Sequence, residues 1–295
     1  LFTKFTALKT QLFLHINVTC KQKKRMKKIT LLLLTLTICS CQSQQEIDFK
    51  VGYLPNFNYS LTQKQISENN ILYIASDEII ENLKNNGYSN PTITKDTTVL
   101  RSVSKTGELN GNQFPLNIEV LESSNKSLGK GMRMHGNYVS ESIKIDSISN
   151  SSMSDKSKKE LLTSMETMMN QIKYPNRKIK VGESFEQKNP MSMPIADVTI
   201  EMEINSIYTL KKVENGVGYF DLDQVYTIKS ATKDYKMELD GIGKGQIDFD
   251  IKKQFFTKFY LEMEMNLKTE LEAFSIELQT KSITDQTTEI IKASR

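Results

Sequence analysis

The second half of the chain is dominated by strict alternation of apolar and polar residues. The clearest stretch runs from Val198 to Asn205, where Val, Ile and Met alternate with Thr, Glu and Asn. Such alternation puts apolar side chains on one face of a strand and predicts a half-buried β-strand. The dipeptide Asn215-Gly216 favours the positive φ angles of a two-residue hairpin. We therefore expect an antiparallel meander with one apolar face over residues 195–293.

The alternation changes phase near Ala273 and Phe274. Apolar residues occupy odd positions from Phe259 to Leu267 and even positions from Phe274 onward. One extra residue in a strand shifts the alternation in this way. The pattern therefore predicts a bulge or a bend within a continuing strand.

Two segments have a helical period instead. Residues 77–86 follow the N-cap residue Ser76, begin with acids and precede Gly87, which predicts a short helix. A longer helix is predicted for residues 154–173, before Pro175. Its apolar stripe consists of Leu161, Leu162, Met165, Met168, Met169 and Ile172. This stripe predicts packing on the sheet, and a Met-rich stripe also suits a partner or ligand groove.

A pattern that occurs twice suggests a duplicated β unit. Each copy has a Leu-x-x-Val pair, a glycine-containing turn, a strand and a Gly-Lys-Gly tripeptide. The first copy runs from Leu100 to Gly131 and the second from Leu210 to Gly245. Two copies of one unit would give this order, and so would chance similarity between two meanders. Superposition of the two halves should pair Gly131 with Gly245 if the unit is duplicated.

These patterns together predict a mainly β fold of the α+β type. We expect two antiparallel meander halves, over residues 49–175 and 176–295, in a curved sheet packed by one or two amphipathic helices. An incompletely filled curved sheet with a covering helix would leave a cavity for an acyl chain or another apolar ligand. The flexible Phe, Met and Leu side chains between residues 249 and 278 suit such a cavity and suit a closed, fully packed core equally.

The region before the first strand has the pattern of an export signal. Met26, Lys27 and Lys28 precede a short apolar run, which ends in Ile38-Cys39-Ser40-Cys41. A cationic start and an apolar segment too short to span a bilayer predict a secretory signal peptide. We expect residues 1–25 to be an upstream extension, 26–40 the signal peptide and 41–48 a tether, with folding starting near Phe49.

The four residues Ile38, Cys39, Ser40 and Cys41 resemble the bacterial lipobox of Gram-negative lipoproteins. The resemblance implies that Cys41 is acylated and becomes the new N-terminus after cleavage. Gln42 stands where Asp typically retains a lipoprotein in the inner membrane, so the outer membrane is the expected location, with the orientation left open. The expected partners are the membrane, through the N-terminal lipid, and either an envelope protein or an apolar ligand.

Charge and cysteine content change once the signal is removed. Eight of the 39 Lys and Arg and none of the 35 Asp and Glu precede Cys41. The remainder has 31 positive against 35 negative residues, a formal net charge of −4, which removes the argument for nucleic acid binding. Cys20 and Cys39 also precede Cys41, so no free thiol remains. His135 is the only histidine left, and we expect it to be structural or exposed.

A second resemblance rests on Ile179-Lys180-Val181-Gly182-Glu183-Ser184-Phe185. This segment is similar to a turn that opens the second β half of an uncharacterised envelope lipoprotein family. Phe185 stands where that family commonly has Trp. The family has no assigned catalytic residues, so the resemblance implies a β-rich lipoprotein of two related halves and assigns no role to any residue.

The candidate chemical site is a set of paired carboxylates at i, i+2 spacing, which places each pair on one side of its strand. The pairs are Glu201 and Glu203, Asp221 and Asp223, Asp248 and Asp250, and Glu262 and Glu264. They suit a calcium site, the two acids of a glycan hydrolase, or an acidic docking face. The solvated side of a one-faced sheet also requires polar residues. A phosphate loop at Gly241, Gly243 and Gly245 is disfavoured because the spacing differs from the known motif.

We therefore expect a non-enzymatic, lipid-anchored binding or scaffolding module without a cofactor or a metal. The alternative is a hydrolase of envelope glycans that uses two acids. Geometry distinguishes the two, because catalysis requires carboxylates gathered in a cleft and binding allows acids spread over an open face.

Overall fold

The computed structural model describes residues 46–125, 128–149, 153–195, 198–231, 236–271 and 273–293. The upstream extension and the signal residues Met26, Lys27, Lys28, Ile38, Cys39 and Ser40 lie outside the described residues, as does Cys41 with the first part of the tether. The described elements are β1 (Glu46–Phe49), β2 (Phe57–Ile74), α1 (Asp77–Asn85), β3 (Thr92–Thr106), β4 (Gln113–Ser123), β5 (Arg133–Val139), β6 (Ser142–Ser149), α2 (Asp155–Gln171), β7 (Arg177–Lys180), β8 (Ser184–Ile195), β9 (Val198–Glu214), β10 (Val217–Ala231), β11 (Lys236–Asp250), β12 (Phe255–Glu270) and β13 (Ser275–Lys292).

Most of these strands belong to one large curved antiparallel sheet, which confirms the predicted mainly β fold. Its eleven strands lie in the order β6-β5-β4-β3-β2-β13-β12-β11-β10-β9-β8, and β1 pairs with β7 in a separate two-stranded sheet. The sheet consists of two arms, β2 to β6 and β8 to β13, and each arm is a meander. The first strand begins at Glu46, inside the predicted tether, and Ile47 is already buried.

The two predicted halves share one sheet. Their boundary near residue 175 falls between α2 and β7, but β2 and β13 pair along their full lengths, from Phe57 with Lys292 to Ile74 with Ser275. In addition, β1, which runs from the predicted tether to Phe49 at the start of the first half, pairs with β7 of the second half. The halves therefore correspond to two arms that are hydrogen-bonded to each other.

Gly131 and Gly245, which the duplication would pair, lie in different local structures. Gly131 lies in the turn before β5 with φ of +82°. Gly245 lies inside β11, where it is paired with Leu222 and Leu261. The Leu-x-x-Val pair and the turn after it do occupy similar places, because meanders repeat the order of strand, turn and strand.

Both predicted helices are present, but only one of them covers the sheet. α1 follows Ser76 and contains no buried residue. α2 begins after Ser154, whose Oγ accepts a hydrogen bond from Ser157 N at 3.2 Å, and Met165 on its apolar stripe is 8% exposed. Ile172 is wrongly placed on that stripe, because α2 ends at Gln171 and Ile172 is exposed.

Two turns correspond to the Asn-Gly signal and to the change in the phase of alternation near Ala273. Asn215 and Gly216 have φ of 52° and 78°, and they form the predicted two-residue hairpin between β9 and β10. The phase change near Ala273 is a chain reversal between β12 and β13, closed by a hydrogen bond from Leu271 N to Phe274 O at 2.9 Å. The predicted bulge or bend within one strand is therefore wrong, because two strands meet at this turn.

We call the sheet face with the buried apolar side chains the inner face and the opposite one the outer face. Three buried clusters lie on the inner face. The first surrounds Phe49 between β1, β7 and the second arm, the second lies between α2 and the first arm, and the third contains Ile200 and Leu267. None of the helices in the described residues is both long enough and apolar enough to cross a membrane.

Candidate functional site

The candidate site is a cavity of about 170 Å³ between α2 and the inner face of the first arm. Its lining is mostly apolar and comes from elements far apart in sequence. The lining residues are Tyr53, Tyr59, Leu61, Leu100, Ser102, Ser104, Ile118, Val120, Leu128, Met134, Met165, Met169, Phe255 and Thr288. The sequence left open a cavity among side chains of residues 249–278, whereas this one lies on the first arm and Phe255 is the only residue of that segment in its described lining.

α2 forms one wall with Met165 and Met169. These side chains lie four residues apart, on the helical stripe that also contains Leu161 and Leu162. Methionine is unbranched and flexible, so it can adjust to fill or vacate the space beneath it. The wall opposite α2 consists of sheet residues such as Val120, which is 2% exposed.

Three aromatic rings close another side of the cavity. The centroids of Tyr53 and Tyr59 are 4.8 Å apart, and that of Phe255 lies 5.2 Å from Tyr53 and 4.9 Å from Tyr59. The loop with Tyr53 is fixed by Thr106, whose hydroxyl accepts from Phe57 N at 2.9 Å and donates to Leu54 O at 2.7 Å. The buried Thr106 side chain thus fixes the loop in the position that holds the Tyr53 ring against the sheet.

Burial controls the ionisation of both tyrosines. It raises the pKa of Tyr59 to about 12 and also raises that of Tyr53. Leu54 N donates to the Tyr59 hydroxyl at 2.7 Å, and the Tyr53 hydroxyl lies 3.5 Å from Ser104 Oγ. Both rings are therefore neutral at physiological pH.

One wall of the cavity carries hydroxyl groups from Ser102, Ser104 and Thr288. Thr288 is 5% exposed, and its Oγ1 atom is buried without a hydrogen-bond partner. A buried polar atom without a partner has a free-energy cost. The sequence pattern does not single out Thr288. The inner positions of β13 from Thr280 to Thr288 are polar, however, and this indicates that this part of the inner face differs from an ordinary core.

α2 also bonds to both edge strands of the large sheet. Asn170 accepts from Ile143 N at 2.8 Å and donates to Ile143 O at 2.7 Å, and Glu166 accepts from Ile145 N at 2.5 Å, all on β6. Gln171 donates to the carbonyl oxygen of Pro190 on β8 at 3.0 Å. The two edges of the sheet therefore lie on either side of α2. Side chains of α2 form hydrogen bonds with edge backbone groups that could otherwise pair with another strand.

The eight predicted carboxylates occupy the outer face, away from the cavity. No two of these eight face each other across a strand pair in the described registers. Three are exposed (Asp223, Glu262 and Glu264) and five are partly buried (Glu201, Glu203, Asp221, Asp248 and Asp250). The predicted i, i+2 pairs therefore exist, but they do not combine into a ladder.

Lysine side chains lie between some of these acids and form ion pairs with others. Lys244 lies between Asp223 and Glu262 in the register, and Lys258 lies opposite Asp248. Five further contacts involve single acids: Glu203 with Lys229 at 3.0 Å, Asp221 with Lys211 at 3.3 Å, Asp250 with Lys253 at 3.5 Å, Glu264 with Lys281 at 3.1 Å, and Glu201 with the Ser192 hydroxyl at 2.7 Å. Exposed pairs of this kind add little to stability and leave a solvated, mixed-charge face.

The outer face shows neither a cation site nor a cleft for two acids among its described residues. No group of three or more His, Cys, Asp or Glu side chains in the described part of the chain is arranged to hold a metal ion. A shallow depression of about 380 Å³ lies between Ile66, Ile242 and Ile283. Each of its three acids has a lysine neighbour: Glu68 contacts Lys95 at 2.8 Å, Glu264 contacts Lys281, and Glu262 lies opposite Lys244. His135 is exposed on this face, with Nδ1 2.7 Å from Asn117 Oδ1, as expected of a surface histidine.

The three glycines of the disfavoured phosphate-loop pattern, Gly241, Gly243 and Gly245, lie inside β11 and face inward. A Cβ on Gly241 would lie 2.9 Å from Tyr226 Cβ, and one on Gly243 would lie 3.0 Å from Gln224 Oε1. These glycines make room for two side chains of β10 that continue a buried chain of hydrogen bonds. The Tyr226 hydroxyl donates to Gln224, and Gln224 donates to Ser206. Packing therefore accounts for the Gly-rich pattern.

Comparison with known proteins gives little information on activity. Residues 131–256 match a family described as "Family of unknown function (DUF6263)", a match that covers fewer than half of the residues. No curated protein matches the chain.

Among solved structures, the chain is similar to the outer membrane protein opdK from Pseudomonas aeruginosa, at 6% identity and a TM-score of 0.23, over 81% of this chain and 100% of that one. It is also similar to OccAB4 of Acinetobacter baumannii, at 4% identity and a TM-score of 0.22, over 81% and 99%. A third is Ail, the attachment invasion locus protein of Yersinia pestis, at 6% identity and a TM-score of 0.13, over 78% and 98%. Scores this low support no argument about fold or function.

Proposed function

We propose that this protein is a lipid-anchored module of the bacterial outer membrane that binds an apolar ligand in the cavity under α2. The observation that carries the proposal is the partly open, largely apolar space of about 170 Å³ between Met165, Met169 and the inner face. An engineered apolar cavity of about 150 Å³ in another protein stays dry and binds benzene. The space therefore suits one ring or a short alkyl segment.

The distribution of charge supports binding over catalysis. The charged side chains of the candidate acidic set lie on the outer face, and the lining of the cavity contains none. A glycan hydrolase requires two carboxylates on either side of the scissile bond. The described carboxylates of the set are instead opposed by lysines or bonded to a hydroxyl, so no observation favours the hydrolase.

A cavity-filling substitution tests the ligand. Val120 lines the cavity, and Val120→Phe would occupy the space that a ring-sized ligand needs. We expect toluene to shift the ¹³C-methyl NMR signals of Met165 and Met169 in the wild-type protein but not in Val120→Phe. The control Val225→Phe makes the same change on the outer face, where Val225 is 49% exposed, and should leave toluene binding unchanged. Absence of a toluene response in both wild type and control would contradict the proposal.

The anchor is tested independently of the ligand. The support for it is the lipobox resemblance that ends at Cys41 and the signal-like segment before it. Acyl chains on that cysteine would hold the protein at the membrane, since each buried methylene contributes about 0.8 kcal/mol. We expect Cys41→Ser to move the protein from the outer-membrane fraction, and we expect intact mass measurement of the wild type to show diacylglycerol and cleavage before Cys41. An unmodified chain with an intact segment upstream of Cys41 would contradict the anchor.

A further inference from the structure

The first half of β3 forms an open edge of the large sheet. β4 stays paired with β3 only as far as Leu100, which lies opposite Ser123, whereas β2 stays paired with β3 as far as Thr92. Val99 closes the pairing with the first arm, because its N–H donates to Ser124 Oγ at 3.0 Å and its carbonyl oxygen accepts from Ser124 N at 2.9 Å. Within the described part of the chain, residues 92–98 therefore have a neighbouring strand on one side only.

Backbone groups point outward from this edge at every second residue. In an antiparallel pair, successive residues direct their N–H and C=O groups alternately toward and away from the neighbouring strand. Val99 bonds to Ser124, away from β2, and the register between β2 and β3 has no shift. Ile93, Lys95 and Thr97 therefore each present an N–H and a C=O group to the open side, and none of the described backbone hydrogen bonds reaches these groups.

The two end strands of the large sheet are protected in a way that residues 92–98 are not. Side chains of α2 bond to outward backbone groups of β6 and to the carbonyl oxygen of Pro190 on β8. β8 also contains Pro194, and a proline has no N–H to donate to an added strand. An uncovered strand edge is a template for another extended chain, and strand addition is a recurring mode of peptide recognition.

The charges along the open edge indicate the chemistry of its partner. Asp96 is exposed on the inner face and forms no ion pair with a described residue. Lys95, on the outer face, lies 2.8 Å from a carboxylate oxygen of Glu68 and so adds no unpaired charge. A cation directly opposite Asp96 in an added strand would form a favourable cross-strand pair.

A second copy of this edge cannot supply that cation. Residues that face each other across an antiparallel pair lie on the same face of the sheet. The other inner-face residues of the open edge are Thr92, Thr94 and Thr98, and none of them is basic. The register that would pair all of residues 92–98 with a second copy also places two Lys95 side chains opposite each other, which is destabilising.

We propose that residues 92–98 bind an extended segment of a partner protein, which adds an antiparallel strand to the sheet and places a Lys or Arg opposite Asp96. Backbone hydrogen bonds to Ile93, Lys95 and Thr97 hold the segment, over about 23 Å at 3.3 Å per residue. The cation opposite Asp96 sets the preference among segments. This site is separate from the cavity under α2, so it stands or falls independently of the apolar ligand.

A synthetic peptide tests the proposal on the full-length protein. The probe is the capped, fluorescently labelled peptide Thr-Val-Lys-Thr-Thr-Val-Thr, whose Lys lies opposite Asp96 when its first residue pairs with Thr98. The control peptide has Glu in place of that Lys. We expect fluorescence anisotropy to show tighter binding of the Lys peptide, and we expect this peptide to slow amide hydrogen exchange at Ile93, Lys95 and Thr97. Absence of binding, or equal binding of both peptides, would overturn the proposal.

Two variants separate the backbone contribution from the charge. Thr97→Pro removes one outward N–H and no hydrogen bond to β2, so the edge should remain folded while the affinity for the Lys peptide falls about tenfold. Asp96→Asn should weaken binding of the Lys peptide about threefold, the effect of losing one cross-strand ion pair, and should remove the preference over the Glu peptide. The matched control is Glu108→Gln, at an exposed acid outside the open edge, which should change neither affinity.

The state of the variants and of the wild type completes the test. Unchanged amide exchange at Leu116 would show that Thr97→Pro is folded, and if it is not, the exchange footprint and Asp96→Asn still decide. Wild-type affinity in a folded Thr97→Pro would overturn the proposal, because the peptide would then bind elsewhere. A wild-type dimer in sedimentation velocity that Thr97→Pro dissociates would also overturn it, since a second copy would then occupy the edge.

Discussion

Buried tyrosines make this protein sensitive to alkaline pH. Burial raises the pKa of Tyr226 and of Tyr59 to about 12, above the usual value of 10.0. A tyrosine with a raised pKa in the folded state keeps its contribution to stability below the unfolded pKa and loses it as pH rises toward the folded value. We therefore expect the free energy of unfolding to fall between about pH 10 and about pH 12, as measured by urea denaturation at a series of pH values.

Single substitutions assign this effect to particular rings. Tyr226→Phe removes one ionisable group and should reduce the slope of unfolding free energy against pH. Tyr88→Phe is the control, because Tyr88 is 57% exposed and should leave the slope unchanged. Identical slopes for wild type and Tyr226→Phe would show that the buried hydroxyl does not titrate with the unfolding transition.

At the scale of elements, α2 protects the edge of β6 through its polar side chains. Asn170 makes two hydrogen bonds to the backbone of Ile143. Asn170→Ala removes both and leaves the Ile143 groups with only water as an alternative partner, which should cost about 1–3 kcal/mol of unfolding free energy. We expect amide hydrogen exchange at Ile143 and Ile145 to accelerate, because the helix would separate from the edge more often.

The matched control is Thr167→Ala on the same helix. The Thr167 hydroxyl bonds to the carbonyl oxygen of Thr163 within α2 and makes no contact with β6 in the described hydrogen bonds. Its substitution should leave exchange at Ile143 unchanged. Equal acceleration in both variants would mean that α2 frays as a helix and that its bonds to β6 are not specific.

The sequence predicts elements well where a single periodicity decides them. Strands β9 to β12 show alternation because one face is buried, and α2 shows a stripe because one side meets the sheet. The turn at Leu271 was missed because a phase change has the same appearance whether the strand bulges or reverses. The position of the cavity could not be predicted from the sequence, since Tyr53, Val120 and Thr288 meet only through the pairing of distant strands.

At the scale of the molecule, the two arms share their longest strand pair, and one aromatic side chain links both halves of the chain. Phe49 on β1 is 1% exposed, and β1 pairs with β7 across the predicted domain boundary. The ring of Phe49 packs against five others, those of Tyr174, Phe185, Phe220, Phe249 and Phe256. The full-length pairing of β2 with β13 then couples this cluster to the first arm.

This arrangement predicts that Phe49→Ala destabilises the whole fold. Deleting a fully buried ring typically costs about 3–5 kcal/mol. Because the arms are hydrogen-bonded along β2 and β13, amides of β3 in the first arm should lose protection in hydrogen exchange together with amides of β10 in the second arm. Leu109→Ala, at a residue 59% exposed, is the control and should change neither. Loss of protection confined to β8–β11 would show instead that residues 49–175 and 176–295 fold as separate units.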